Sequence, residues 1–364
     1  MIPIGILFDN MSLKRMELMK TIYTLTELLK QSGCQYQVVD LGRRIQPIAS
    51  ESFARIEQAQ QPYPYPLQRM ARLAIVYWNE TKQPWIWFLQ FELDERGRLQ
   101  PTDISEFIRF MLEAMGTRIH QNLTEAQQQK LANNPYTFTP PEEKMAVFHS
   151  QVKAMLKLPA SQYYEHAQCY FQGNLGWNNW QTIGLQGITD ICARLGQEQN
   201  APSLLKAFNH LPSEPCYALL GALEHTPLTE KIANKLQAMV HEQMQQASPD
   251  LFFLSALLRA LSGAPGKQLE ETVASLLAQP HLCHAEILIG IAGRSWSALT
   301  QPQQAELFLT RLAQTGQQTL FNQLFADLVM LPELRVILLP LLHSTASEEL
   351  TTALVTLQQQ TRSR

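Results

Sequence analysis

Two hydrophobic patterns follow one another along the chain, and the first predicts β-strands. Apolar and polar residues alternate in CQYQVVDLG from Cys34 onward, which is the period of a half-buried strand. RLAIVYWN (residues 72–79) and WIWFLQFEL (residues 85–93) are rich in the β-branched and aromatic residues that favour strands. The turn segments NETKQP and DERG follow these two runs. We therefore predict a hairpin within a small antiparallel sheet.

Helices are predicted around these strands. TLTELLKQS begins at Thr24, three residues before Glu27, and is followed by Gly33, so it has the spacing of a capping box and a helix-terminating glycine. The same spacing precedes further predicted helices at 103/106, 124/127 and 139/142. The first domain is therefore predicted to be α+β, over residues 19–158. Residues 1–18 show neither a period nor a cap, and we interpret them as a non-native or disordered N-terminal extension, with Met19 as an alternative start.

The second pattern, from about Ala160 onward, predicts only helices. Apolar segments are separated by Pro, Gly or Asn, as in a helical array. Three of the segments share one frame at offsets of 38 and 31 residues: ALLGALEH (218–225), ALLRALSG (256–263) and ILIGIAGR (287–294). We predict an all-helical domain over residues 159–364, formed either by degenerate helical repeats of the HEAT kind or by a compact bundle.

Composition and charge limit the partners of such a protein. The 364 residues carry a formal net charge of -3, and the pI is about 6.3, so no global field attracts nucleic acid or an acidic membrane surface. The five cysteines are widely spaced and form no CxxC pair, which argues against a disulfide framework or a zinc knuckle. No apolar run approaches the ~18 to 20 residues that span a bilayer. We expect a cytoplasmic protein.

The stretch QQPYPYPLQ has prolines at 62, 64 and 66. Ligands of proline-recognising grooves need prolines at i and i+3 on one face of a polyproline helix, and no proline here has a partner at that spacing. We interpret the stretch as a stiff extended lead into the next strand, with at least one tyrosine packed on the domain. Tyr63 and Tyr65 are kept among the residues of the candidate binding surface, together with Trp177, Trp180, Gln186 and Asp190. Arg43 and Arg44, in DLGRRI, are interpreted as a solvated turn.

The segment GWNNWQTIGLQGITDICARLG, residues 176–196, is the most unusual local sequence. On a helix that includes Trp180, most of the circumference is apolar, which predicts a buried helix. Gly184 and Gly187 each weaken a helix by roughly 1 kcal/mol, which suggests close approach by a neighbouring helix. The alternative is a pocket, lined by Trp177, Trp180, Gln186 and Asp190.

Candidate chemistry is sparse. HLCH, at 281–284, offers metal-capable side chains but no second pair of ligands nearby, so we interpret it as a loop. His166 and Cys169 are one helical turn apart, and we do not interpret them as a metal site either. The nucleophile motif GxSxG is absent, and GAPGKQ has the wrong spacing for a phosphate loop. We therefore expect no cofactor and no metal. We favour a non-enzymatic protein and keep an enzyme as the alternative.

Five segments carry a resemblance to a known family: QYQVVDLGRRIQPI, QPYPYPLQ, LAIVYWN, PWIWFLQFELDERGRL and WQTIGLQGITDICARL. They resemble the uncharacterised gammaproteobacterial family DUF3549, a domain of unknown function. The resemblance runs from about Met19 to near the C-terminus. It implies a bacterial cytoplasmic setting and carries over no catalytic residue.

The leading hypothesis is a non-enzymatic protein–protein interaction or scaffold protein that uses a helical-repeat surface. It rests on the repeated frame and on the lack of a catalytic signature. The alternative is a small-molecule-binding protein or enzyme with a pocket near the helix from Trp177 to Asp190. A protein partner of unknown identity is expected, and neither a nucleic acid nor a membrane is.

Overall fold

A computed structural model describes residues 22–115, 119, 124, 125, 129, 134–197, 199–342 and 347–362. The expected extension over residues 1–18, its alternative start at Met19 and Gln127 of one predicted cap lie outside the described residues. The chain divides into two compact units. The first comprises Met1–Gly42 and Gln46–Pro140, and the second comprises Arg43–Ile45 and Pro141–Arg364.

An antiparallel sheet forms the centre of the first unit, as predicted. Its strands are β1 (Gln35–Asp40), β2 (Gln46–Ile48), β3 (Met70–Trp78) and β4 (Pro84–Glu92), in the order β2-β1-β3-β4. β3 pairs with both β1 and β4 and is buried along most of its length. Its run of branched and aromatic residues therefore belongs to a central strand that is covered on both faces.

Among the residues that the structure describes in this unit, three helices of seven residues or more accompany the sheet: α1 (Leu25–Gln31), α2 (Ser50–Glu57) and α3 (Pro101–Met115). The cap predicted at Thr24 is confirmed, because its hydroxyl accepts the N–H of Glu27 at 3.2 Å. The caps predicted at 103 and 139 are wrong. α3 begins at Pro101, and the next helix begins only at Glu142 because Pro141 is extended (φ -55°, ψ 147°).

The second unit is helical over its described residues. Its α-helices are α4 (Glu142–Met155), α5 (Tyr164–Phe171), α6 (Leu185–Ala193), α7 (Asn200–Ala207), α8 (Ser213–Leu223), α9 (Glu230–Met244), α10 (Leu251–Ala260), α11 (Gln268–Leu277), α12 (Ala285–Arg294), α13 (Pro302–Gln314), α14 (Gln318–Val329), α15 (Pro332–Leu341) and α16 (Glu348–Arg362). Short 3₁₀ turns lie at Trp177–Thr182, Leu261–Gly263, Pro280–Leu282 and Trp296–Leu299.

These helices alternate between two layers. α6, α8, α10, α12 and α14 each contact the next member of that series and form the first layer. α5, α7, α9, α11, α13 and α15 do the same and form the second layer. Every second helix therefore returns to the same layer.

The helix predicted to include Trp180 is shorter than expected. Trp180 lies in a 3₁₀ turn, Ile183 is extended (φ -98°, ψ 129°), and α6 begins only after Gly184. The close approach is confirmed at Gly187, where a Cβ atom would lie 2.8 Å from the carbonyl oxygen of Tyr163. It is wrong for Gly184, which has open space around it.

Candidate functional site

The two tryptophans of the predicted pocket lie in the 3₁₀ turn before α6 and are half-buried. Trp177 stacks on His210, with ring centroids 5.3 Å apart and an interplanar angle of 14°. Its carbonyl oxygen accepts the hydroxyl of Tyr170 at 2.8 Å. The position of Trp177 is therefore set by the C-terminal ends of α5 and α7.

Asp190 and Gln186 point into a different environment. Asp190 is fully buried, and its carboxylate accepts hydrogen bonds from Ser150 (3.0 Å), the N–H of Ser161 (2.9 Å) and Arg194 (2.9 Å). Gln186 donates to the hydroxyl of Ser150 at 2.7 Å. These polar groups join α6 to α4, so they meet the requirement that buried polar groups have partners.

The two tyrosines of the proline stretch differ in burial. Tyr63 is fully buried, and its hydroxyl donates to Asp40 at 2.7 Å. Burial, with the nearby charge of Asp40 and this hydrogen bond, raises the pKa of Tyr63 well above its usual value. Tyr65 is half-buried. The stretch thus packs through Tyr63, in agreement with its interpretation as a structural lead.

Arg43 and Arg44 are not a solvated turn, and that interpretation is wrong. Arg43 is fully buried in the second unit and donates to the carbonyl oxygen of Ala292 (2.8 Å) and to the carboxylate of Asp327 (2.6 Å). Its guanidinium also lies over the ring of Trp296, 5.4 Å from the centroid. The acceptors belong to the last turns of α12 and α14, whose carbonyls lack partners within the helix.

Arg44 binds two further helix ends of the same layer. It donates to the carbonyl oxygens of Glu224 (2.8 Å) and Ser262 (2.6 Å), directly after α8 and α10. The C-terminal ends of four first-layer helices therefore share two guanidinium groups. Cations at this end also complement the negative end of each helix dipole. The interaction fixes the relative positions of α8, α10, α12 and α14.

Glu224 extends this charged cluster through ion pairs with two further arginines. Its carboxylate pairs with Arg294 at 2.9 Å and with Arg259 at 3.3 Å, and Arg259 also reaches Glu286 at 3.5 Å. Burial alone would raise the pKa of Glu224, but the hydrogen bond from His225 and the positive charge of Arg294 outweigh it and lower the pKa to about 2.

His225 is held neutral beside this cluster. Its Nδ1 accepts the N–H of Ile45 at 3.3 Å, and its Nε2 lies 3.2 Å from Glu224. A nitrogen that accepts a hydrogen bond carries no proton, so Nε2 is the donor. Burial, which disfavours the imidazolium, lowers the pKa of His225 to about 4. Each residue of the Arg43–Ile45 tripeptide therefore donates a hydrogen bond to the helical unit.

Three first-layer helices each expose one large apolar side chain. Tyr217 on α8 is 38% exposed, Phe252 on α10 is 66% exposed and Ile289 on α12 is 44% exposed. We name the surface formed by these three residues the α8–α10–α12 face. Tyr217 also meets Phe253 edge to face, with ring centroids 5.8 Å apart, so the side chains of α8 and α10 are contiguous there.

Sequence reasoning missed this face. The residues lie within apolar segments, such as LFFLSALLRA in α10, in which every side of the helix carries large apolar groups. A helix that is apolar on all sides is expected to be buried. One signal in the sequence could have indicated the face: α10 has more apolar residues than are needed to cover one side of the helix.

Other candidate sites remain ordinary in structure. In HLCH, His284 caps α12 by accepting the N–H of Glu286 at 3.3 Å, and Cys283 is buried. No group of three metal-ligating side chains exists among the residues that the structure describes. A cavity of about 370 Å³ lies among α13, α14 and α16, and its lining contains Glu348 and Glu349. None of the described helices has the length and apolar character to cross a membrane.

Comparison with known families agrees with the resemblance seen in the sequence. The chain belongs to the family described as protein of unknown function (DUF3549), whose family model matches residues 20–358. No curated protein and no solved structure matches the chain. The family description assigns no activity.

Proposed function

We propose that this member of DUF3549 is a non-enzymatic interaction or scaffold protein, and that the α8–α10–α12 face binds another protein. The observation that carries the proposal is the exposure of Tyr217, Phe252 and Ile289 on three successive helices of one layer. Isolated exposed apolar residues are common on protein surfaces, but adjoining ones are typical of interaction sites.

The energetics favour an interaction of moderate strength. Complete burial of a large apolar side chain contributes about 1.5–3 kcal/mol, and the three residues are partly exposed. Their burial would contribute roughly 3 kcal/mol before the cost of association. The face is also rigid, because Arg43 and Arg44 bond to the C-terminal ends of its helices. A rigid surface loses little conformational entropy on binding.

The proposal extends to the architecture and the cellular setting. Alternating contacts within two layers support degenerate helical repeats of the HEAT kind, whose extended surfaces serve as binding surfaces. We place the protein in the cytoplasm. Its five cysteines form no disulfide among themselves, and four of them are buried, as is usual in a reducing compartment.

A ligand pocket near Trp177 and Asp190 is the less favoured function. Asp190 already accepts three hydrogen bonds from its own chain. A ligand would have to replace at least one of these partners in a buried site, at the cost of leaving a donor unpaired.

The test of the proposed function is affinity purification of the tagged full chain at its native level, with quantitative mass spectrometry. The variant Phe252→Ser/Ile289→Ser is purified in parallel. Val336→Ser is the matched control, because Val336 is also an exposed apolar residue (73%) but lies on α15. We expect a stoichiometric partner with the wild type and the control and its loss with the double variant. If no stoichiometric protein is recovered with the wild type, the proposed function is wrong.

A further inference from the structure

The α8–α10–α12 face has a geometry that limits its partner. On α8, Tyr217 is followed by Gly221 and Glu224, at helical spacings of four and three. On α10, Phe252 is followed by Arg259, seven positions on, and on α12 Ile289 is followed by Gly293. Residues at these spacings share one side of a helix. Tyr217 therefore lies on the side of α8 that carries Glu224, and Phe252 lies on the side of α10 that carries its partner Arg259. Ile289 shares its side of α12 with Gly293.

The usual spacing of packed helices suits a partner helix that lies across the three. Packed helices are about 8–10 Å apart, and seven residues of an α-helix rise about 10.5 Å. A crossing helix with apolar residues at a seven-residue period would bring one of them to each first-layer helix in turn. Gly221 and Gly293 leave open space beside the apolar side chains, since a Cβ atom at either would meet nothing within 4 Å.

The charge around the face is asymmetric. Glu214 and Asp250 lie at the N-terminal ends of α8 and α10, and both are exposed. In the described helices α8, α10 and α12, the basic side chains are Arg259 and Arg294, and both are paired with carboxylates. The border next to the apolar row is therefore acidic.

The pKa of Tyr217 is affected by this acidic border. Burial raises the pKa of its hydroxyl, the negative charge of Asp250 raises it further, and Arg259 lowers it. The hydroxyl thus lies within the field of Asp250. Asp250 also accepts the N–H groups of Phe252 and Phe253 at 3.0 Å. The positive end of the α10 dipole offsets part of its charge, so we expect a modest electrostatic contribution.

We propose that the occupant of this face is a cationic amphipathic α-helix of a partner protein, with apolar residues at a seven-residue period and Lys or Arg beside them. The proposal rests on the proposed function and specifies the partner chemistry. Helix-in-groove recognition through residues at such spacings is a recurring binding mode. The lysine or arginine side chains would lie next to Glu214 and Asp250.

The experiment uses the full-length protein and three fluorescein-labelled synthetic peptides of about 18 residues, long enough to cross three helices at 1.5 Å per residue. The first has leucine at heptad a and d positions and lysine elsewhere. The second replaces lysine by glutamate. The third has the composition of the first in a scrambled order that is not amphipathic. Binding is measured by fluorescence anisotropy at two salt concentrations.

We expect the amphipathic lysine peptide to bind at least about tenfold more tightly than either other peptide, a difference of ~1.4 kcal/mol. Phe252→Ser and Ile289→Ser should each weaken it by about tenfold, and Val336→Ser should not. Asp250→Asn should reduce the preference for lysine over glutamate while retaining the helix cap, because asparagine caps as well as aspartate does. Circular dichroism melting of each variant checks that it folds.

Three results would overturn the inference: no binding of the lysine peptide at any soluble concentration, equal binding of the glutamate or scrambled peptide, or equal binding to the serine variants and the wild type. Sedimentation analysis tests whether a second copy of the chain binds this face instead of a partner protein. A dimer that Phe252→Ser dissociates would assign the face to self-association instead. If the affinity purification recovers a partner whose binding Phe252→Ser/Ile289→Ser leaves unchanged, this inference fails while the broader interaction function stands.

Discussion

Replacing Arg43 by methionine should destabilise the helical unit more than any surface change. The Arg43 side chain is fully buried and the Asp327 side chain is 13% exposed, so solvent screens their interaction little. Arg43→Met leaves the Asp327 carboxylate and the Ala292 carbonyl without this donor. Removal of one member of a buried ion pair costs about 3–5 kcal/mol. We expect a loss in that range in the free energy of unfolding.

Arg43→Lys separates charge from geometry. Lysine keeps the positive charge but lacks the planar fork that reaches Ala292 and Asp327 together. Its loss should be about half that of Arg43→Met, because one of the charge-assisted hydrogen bonds, each worth about 1.5–3 kcal/mol, remains. Lys206→Met is the matched control, since it removes an exposed positive charge in the same unit.

Urea unfolding and amide hydrogen exchange of the full chain measure this effect. Exchange at the last turns of α12 and α14 should accelerate most in Arg43→Met, because their carbonyl oxygens lose their donor. A change in the free energy of unfolding of less than about 1 kcal/mol in Arg43→Met, the range of exposed ion pairs, would show that Arg43 does not hold the helix ends together. Equal acceleration of exchange in helices that Arg43 does not touch would show the same.

Three further predictions concern buried groups. Burial raises the pKa of Glu57 to about 7, so the folded state holds this proton more tightly than the unfolded state; stability should fall as pH rises from about 4.5 to 7, and urea titrations of Glu57→Gln should lack this component. Gly187→Ala should cost about 1–3 kcal/mol by overpacking, whereas Gly184→Ala should leave the melting temperature nearly unchanged; equal shifts would contradict the close approach. Asp190→Ala should cost about 3–5 kcal/mol in urea unfolding, because Arg194, which is 5% exposed, loses its partner; a loss below about 1 kcal/mol would argue against a buried ion pair.

Local patterns predicted the type of most elements but not all of their ends. Strands with a period of two or with branched and aromatic runs form the sheet, and Thr24 caps α1 because its partner is only three residues away. The cap predicted at Thr139 failed for an equally local reason, since Pro141 delays the start of α4. The break at Ile183 and Gly184 shows the same limit: an apolar stripe does not locate the first residue of a helix.

The site could not be predicted in the same way. Arg43 and Asp327 are 284 positions apart in sequence, and no local pattern indicates that a basic residue in a short loop is buried among helix ends. The exposed α8–α10–α12 face could not be predicted for the same reason, because it also depends on tertiary contacts. In α10 each side is apolar, and only the neighbouring helices decide that Phe252 stays exposed while Leu254 is buried.

Site-specific photo-crosslinking in the cell shows directly whether the α8–α10–α12 face binds another protein. Phe252 is replaced by the photoreactive residue benzoylphenylalanine in the full-length protein, and Val336 is replaced in the same way as the control. We expect one discrete adduct with another protein from position 252 and none from position 336. An adduct with a second copy of the chain, the same products from both positions, or no adduct from position 252 would contradict this expectation.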